Sequence, residues 1–155
     1  MRWNPGRATI ERMIAAGELE RVTASREFAD RLIMIAREKL ASAGLPQNDP
    51  DTAYDALYGA ARKALTAILE NQGLRPTTRG GHTAPYEAVR AQIDPPMGAA
   101  IRPFAHMRRE RNSVDYPSND TAPATKQDVR RDLPYAEVIV DLAERLLDEI
   151  GRAHV

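Results

Sequence analysis

The 155-residue chain contains no cysteine. That excludes disulfides, thiol nucleophiles and any zinc held by thiolates. Histidine is scarce: His82, His106 and His154 are the only three, and none stands four residues from another. The helical spacing of a histidine metal site is therefore missing, and neither a metal nor a cofactor is expected. No apolar run approaches the roughly 18–20 residues that a membrane span needs. The opening Met1-Arg2-Trp3-Asn4-Pro5-Gly6 has no apolar signal core. The expectation is a cytoplasmic protein without membrane contact. Net charge is absent too, with 22 basic against 22 acidic side chains, which argues against a protein that holds nucleic acid by bulk charge.

What is present is arginine. Nineteen of the 22 basic residues are arginine, and the charge is unevenly spread. Residues 75–116 carry seven arginines against four acids, a net +3, whereas 117–155 carry five bases against eight acids, a net −3. A positive middle facing an acidic last segment suits either internal pairing or a localised anion site.

The length fits a single domain with a real core. No strand signal of sustained period-2 alternation occurs, and the fold class expected is all-α. The architecture expected is an up-and-down bundle of four long helices over 25–151, preceded by short N-terminal helices in 1–24. Thr9 can cap a first helix whose apolar side is Ile10, Met13 and Ile14 and which Gly17 ends. A helix from Ser25 carries Phe28, Leu32, Ile35, Ala36 and Leu40 and stops at Gly44 and Pro46. A third, from about Asp51 to Gln72, is rich in alanine, which lets neighbours approach closely. Thr83 and Pro85 open a shorter helix that Asp94-Pro95-Pro96 breaks. Another follows from about Met97 to Tyr116, with Pro103 either kinking it or marking its first turn. The last begins at Thr125, with Asp128 positioned for a capping box, and Pro134 is expected to bend it. Its stripe of Val129, Leu133, Ala136, Val140, Ala143, Leu147 and Ile150 reads as the core closer of the bundle or as a dimer seam.

The most informative segment is Arg108-Arg109-Glu110-Arg111-Asn112-Ser113-Val114-Asp115-Tyr116-Pro117. At about 100° per residue, Ala100, Ile101, Phe104, Met107 and Val114 gather on one side of the helix, and Arg111 falls within that stripe. Arg108 stands at its edge. A guanidinium among apolar neighbours is costly unless paired. Arg111 is thus either tied to a carboxylate, with Asp115 four residues on as the local choice, or kept for a ligand.

The loop 75–82 joins Arg75, Arg79, two glycines and His82 just before a helix start, where backbone donors attract anions. It reads as a phosphate cradle or as a plain connection, and His82 as a group titrating near neutrality or as a polar surface residue. Asp49, Asp51 and Asp55 resemble a carboxylate cluster but stand where a first helical turn favours acids anyway. His106 and Glu110 suit a surface pair, and Tyr54 and Tyr58 suit core or interface packing.

An all-helical chain with Arg-Asn late in its penultimate long helix resembles the HEPN superfamily. The resemblance covers roughly Thr9 to Ile150 and is strongest to an actinobacterial-type subgroup. It rests on the runs Tyr-Asp-Ala-Leu-Tyr-Gly-Ala-Ala-Arg-Lys-Ala-Leu at 54–65, Gly-Leu-Arg-Pro-Thr-Thr-Arg-Gly-Gly-His at 73–82 and Arg-Arg-Glu-Arg-Asn-Ser-Val-Asp-Tyr-Pro at 108–117. The resemblance implies a metal-independent endoribonuclease of toxin–antitoxin or defence type, with an arginine, a polar residue beside it and a histidine four to six residues further on. It also implies a homodimer that forms a composite site, RNA such as tRNA as substrate, and a nucleotidyltransferase antitoxin as partner. On this chain the motif arginine is Arg111 and the polar residue Asn112. Tyr116 stands after four intervening residues, where the motif has histidine. Arg108, Arg75, Arg79 and His82 are the candidate phosphate-binding residues.

Chemistry gives the departure its weight. Metal-free RNA cleavage needs the 2′-hydroxyl deprotonated and the leaving oxygen protonated, and histidine does either near neutral pH. Tyrosine, with a reference pKa near about 10, is a poor base there. Two replacements are on offer, His82 and His106, if folding brings one of them to Arg111. Without one, the expectation shifts to a catalytically inactive HEPN module that binds nucleotide, RNA or the nucleotidyltransferase partner.

Overall fold

The computed structural model describes residues 5–112 and 122–149 in full, and the backbone of 113–115 and 150–153. Seven helical segments and one small ribbon follow in order among the described residues: α1 (Arg7–Ala15), β1 (Leu19–Arg21), α2 (Arg26–Ala43), α3 (Pro50–Asn71), β2 (Leu74–Pro76), α4 (Ala84–Ile93), α5 (Gly98–Ile101), α6 (Pro103–Asp115) and α7 (Lys126–Ala153). The chain is predominantly α-helical. No helix among the described residues is long and apolar enough to cross a membrane.

Local chemistry sets most helix ends. Helix α1 starts after Gly6, two residues before the expected Thr9 cap. It ends in a Schellman motif, in which Gly17 (φ 77°) donates to the Ile14 carbonyl at 3.0 Å and Glu18 to that of Met13 at 2.9 Å. The Ser25 hydroxyl caps α2 by accepting from Phe28 N–H at 3.0 Å. Asp49 caps α3, accepting from both the Thr52 N–H and its hydroxyl, and Pro50 takes the first helical position. At α7, Thr125 and Asp128 close a reciprocal box, with 3.1 Å from Asp128 N–H to the Thr125 hydroxyl and 2.9 Å from Thr125 N–H to the Asp128 carboxylate.

Three long helices, α2, α3 and α7, hold the core, and α4 and α6 lie against α3. The alanines of α3 (Ala53, Ala60, Ala61, Ala64 and Ala67) are buried, which brings neighbouring backbones close. Ion pairs reveal direction. Arg26 reaches Asp148 while Arg37 reaches Asp141 and Glu144, so α2 runs antiparallel to α7. On α7, Val129, Ala136, Val140, Ala143 and Leu147 are buried, as the core-closing reading expects.

One expectation needs correction. The chain is not strand-free: β1 and β2 pair antiparallel, with Glu20 opposite Arg75. Each strand is three residues long, too short for an alternating pattern to be visible, and the pairing follows from the ends of α1 and α3 being brought together. Of the two readings of Pro103, the structure shows the second: it stands in the first turn of α6, after the short α5, rather than kinking a continuous helix. The N-terminal extension is also built into the fold. Ile10 and Met13 of α1 are fully buried, and α1 packs on α4.

One polar centre has its carboxylate buried in this core, with Arg131 and His106 closing over it from the surface. Asp132 of α7 is only 1% exposed. It accepts from the Tyr54 hydroxyl at 2.7 Å and from Arg131 at 2.8 and 3.0 Å, with His106 Nε2 at 3.4 Å. Burial by itself would raise its pKa, yet the hydrogen bonds from Arg131 and Tyr54 outweigh burial and hold it below the ordinary aspartate value. Burial, then the bond to Asp132, pushes the Tyr54 phenol up. A carboxylate with a lowered folded pKa stabilises the chain above its unfolded value, near about 4, and that contribution disappears as pH falls through the folded value. Urea midpoints are therefore expected to hold steady from neutrality to about pH 5 and drop below about pH 4, with Asp132→Asn flattening the drop. At neutral pH, Tyr54→Phe is expected to cost about 1.5–3 kcal/mol in the same measurement, the worth of a hydrogen bond to a charged group.

Candidate functional site

Tyr58 of α3 organises a second polar centre on another side of α6. Its residue is 1% exposed. A buried phenol needs a partner for its hydroxyl, and His82 supplies it, with Tyr58 Oη and His82 Nδ1 3.0 Å apart. The Tyr58 ring stacks on Phe104 at 5.2 Å, and the Arg111 guanidinium lies over it at 5.5 Å. One side chain thus joins α3, α6 and the turn before α4.

Around this tyrosine opens a cleft of about 170 Å³, lined by Lys39, Asp55, Tyr58, Gly59, Arg62, Lys63, His82 and Arg111. Four of these are fixed cations and one is an acid, a surplus of three positive charges among the described lining residues of a chain that is neutral as a whole. Lys39 arrives from α2 across Gly59, where a Cβ would stand 3.6 Å from its Nζ. Arg111 has a side chain 24% exposed, and its Nε donates to Asp55 at 3.2 Å. Asp55 itself is 53% exposed, so this ion pair is of the weak, exchangeable kind. Arg62 Nε is buried without a hydrogen-bond partner, an unusual state for such a group.

The residues expected from the sequence divide. Arg111 and His82 share the cleft. Asn112, next to Arg111, is exposed and does not line it, and Arg108 sits partly buried on α6 away from it. Tyr116 lies outside the described residues, as does the side chain of Asp115, the expected intrahelical partner of Arg111. The loop 75–82 does not act as one cradle. Arg75 turns to the buried Glu70 at 2.7 Å, and Arg79 packs over Gly17, 3.4 Å from the Ala16 carbonyl. Only His82 of that loop reaches Arg111's cleft. His106 belongs to the Asp132 network instead.

The aspartates separate as well. Asp49 caps α3, Asp51 accepts from Ala124 N–H at 3.0 Å, and Asp55 takes Arg111. No group of three or more histidines and acids among the described residues could hold a metal ion. Sequence reasoning missed Lys39, Arg62 and Lys63. The signal for Arg62 was available, since Asp55, Tyr58 and Arg62 recur at helical spacing along α3. Nothing local pointed to Lys39.

Two larger grooves carry other chemistry. One of about 840 Å³ between α1 and α4 sets Arg12, Arg79 and Arg90 against Glu18, Glu87 and Asp94, a balanced charge. Another of about 590 Å³ borders His106, Arg131 and Asp132, which pair with one another, and also Arg102 and Arg109, so three arginines face one acid there. A third, of about 320 Å³, has Lys126 and Arg130 in its lining and no acid. The Tyr58 cleft carries the largest excess among the described lining residues, four cations against one acid, packed into the smallest of these volumes.

No protein-family model, curated protein or solved structure matches this chain.

Because Asp55 competes for Arg111, Asp55→Asn is expected to change stability by less than about 1 kcal/mol and to strengthen binding of inorganic phosphate. Urea unfolding and calorimetric titration would check the pair of effects. Weaker phosphate binding in the variant would mean that Asp55 positions Arg111 rather than competing for it.

Proposed function

We propose that this chain acts on RNA as a HEPN-type protein of toxin–antitoxin or defence systems, with the Tyr58 cleft as a metal-independent phosphodiester site. The observation that carries the reading is the meeting of Arg111 and His82 on one buried tyrosine, inside a cleft with surplus positive charge. In this reading His82 does the work that the motif histidine would do. It comes from the loop before α4 instead of from the helix that carries Arg111.

The chemistry follows from those groups. A phosphodiester entering the cleft draws Arg111 from Asp55, and its guanidinium, with Lys39, Arg62 and Lys63, offsets the charge that develops on the phosphoryl oxygens. Neutral His82, in the tautomer whose Nδ1–H donates to Tyr58 Oη, accepts the 2′-hydroxyl proton at Nε2. The 2′ oxygen bonds to phosphorus and the bond to the 5′ oxygen breaks. That oxygen takes a proton from solvent in the open cleft. The products are a 2′,3′-cyclic phosphate and a 5′-hydroxyl. Asn112 and Tyr116 are proposed to contact the RNA flanking the scissile bond.

The larger assembly is part of the same proposal. Helices α2, α3, α6 and α7 form a four-helix up-and-down bundle. The antiparallel ion pairs between α2 and α7 support this, as do the contacts of His106 with Asp132 and of Glu110 with Arg131. Two copies pair into a homodimer, a nucleotidyltransferase antitoxin silences it, tRNA is among its targets, and the setting is cytoplasmic.

The Arg111–Asp55 pair favours one alternative, a catalytically inactive module whose cleft binds nucleotide, RNA or the nucleotidyltransferase without cutting. Incubation of the purified protein with labelled total tRNA in chelator separates the two. Cleavage leaving cyclic phosphate ends is expected, with Arg111→Ala and His82→Ala each losing about 10²–10⁴ in rate. Inert protein that still binds RNA through Arg111 would establish the module instead. Equal cleavage by all three proteins would end the reading.

A further inference from the structure

The cleft holds more positive charge than a resting internal phosphodiester carries. One bridging phosphate carries a single negative charge, whereas Lys39, Arg62, Lys63 and Arg111 line the cleft with Asp55 as the acid among the described lining residues. Surplus like charge gathered in one place is unfavourable without a counter-charge. Arg62 deepens the imbalance. Its Nε is sealed from solvent without a hydrogen-bond partner, while the residue as a whole is partly exposed and lines the cleft.

The cleft also excludes most other ligands by its walls. At about 170 Å³ it falls below the roughly 300–1,000 Å³ of an ordinary small-molecule pocket. A phosphate group fits inside it, and a nucleoside attached to that phosphate has to lie at its mouth. The aromatic ring at its base offers no stacking surface, because Phe104 covers Tyr58 on one side and Arg111 on another. Recognition of a base by stacking, the usual device of single-strand binders, is therefore missing at this site.

We infer that the cleft takes a polyphosphate group, read by its charge and not by its base. This deepens the RNA reading above and rests on the same cleft. The group has two sources, the 5′-triphosphate end of an RNA and the tail of a free nucleoside triphosphate, and both present the same chain of phosphates. Arg62 and Arg111 hold terminal oxygens in bidentate fashion. Lys39 and Lys63 supply point charge from α2 and α3.

Calorimetric titration of the full chain with phosphate, pyrophosphate, tripolyphosphate and adenosine tests the inference. Affinity is expected to climb along the three anions and to be negligible for adenosine. Arg62→Gln and Lys39→Ala are each expected to weaken tripolyphosphate binding about 10- to 100-fold, and unfolding curves confirm that each variant remains folded. Adenosine binding as tightly as tripolyphosphate, or both variants binding it unchanged, would overturn the inference. Two RNAs of one sequence, ending in 5′-triphosphate or 5′-hydroxyl, then identify the source. Tighter binding of the triphosphate end assigns the site to RNA ends, and equal binding assigns it to free nucleotides. The two proposals fail separately. Tripolyphosphate binding without RNA cleavage would remove the nuclease and keep the polyphosphate site. Cleavage that depends on Arg111, without tripolyphosphate binding, would do the reverse.

Discussion

The buried phenol of Tyr58 is the constraint on which the candidate site depends. Its hydroxyl cannot be left without a partner at 1% exposure, and the partner it finds is a histidine from a loop 24 residues away in sequence. That bond fastens the turn before α4 to the middle of α3. The same ring stacks on Phe104 and so fixes the start of α6, from which Arg111 reaches back over it. Burial of one aromatic side chain thereby settles the relative position of a potential base and a potential phosphate clamp.

Two polar centres flank α6, and the difference between them is physically meaningful. At Asp132, the buried carboxylate, Tyr54, Arg131 and His106 answer one another. Such a network rigidifies a fold when every member is satisfied. Around Tyr58 the balance is different, since cations exceed acids and a buried guanidinium nitrogen lacks a partner. The first centre is complete without a ligand. The second keeps a surplus of positive charge among the described residues, and this asymmetry is the reason for proposing a ligand at one and a structural role for the other.

The legible parts of this fold are those governed by neighbours in sequence. Ser25, Asp49 and Thr125 announce helix starts because capping is a matter of three residues, and the Gly17 stop is equally local. Arg111 stood out because it interrupts an apolar stripe, and its half-buried side chain bears that out. The ribbon of Leu19–Arg21 and Leu74–Pro76 was invisible because it is a consequence of packing and has no pattern of its own. Arg75, Arg79 and His82 looked like one cradle because they are close in sequence. Glu70, Gly17 and Tyr58 draw them to three different places. Lys39 could not have been foreseen, since it joins the cleft only through the contact of α2 with Gly59.

The central claim is that phosphate is bound between Arg111, Arg62 and His82. Nuclear magnetic resonance of labelled protein, titrated with a short RNA whose 2′-hydroxyls are methylated against cleavage, tests it most directly. The account predicts that the arginine Nε–H signals of Arg62 and Arg111 and the ring signals of His82 move together and saturate at one concentration. Perturbations that cluster instead at Arg102 and Arg109, or that leave His82 and Arg62 untouched, would contradict it.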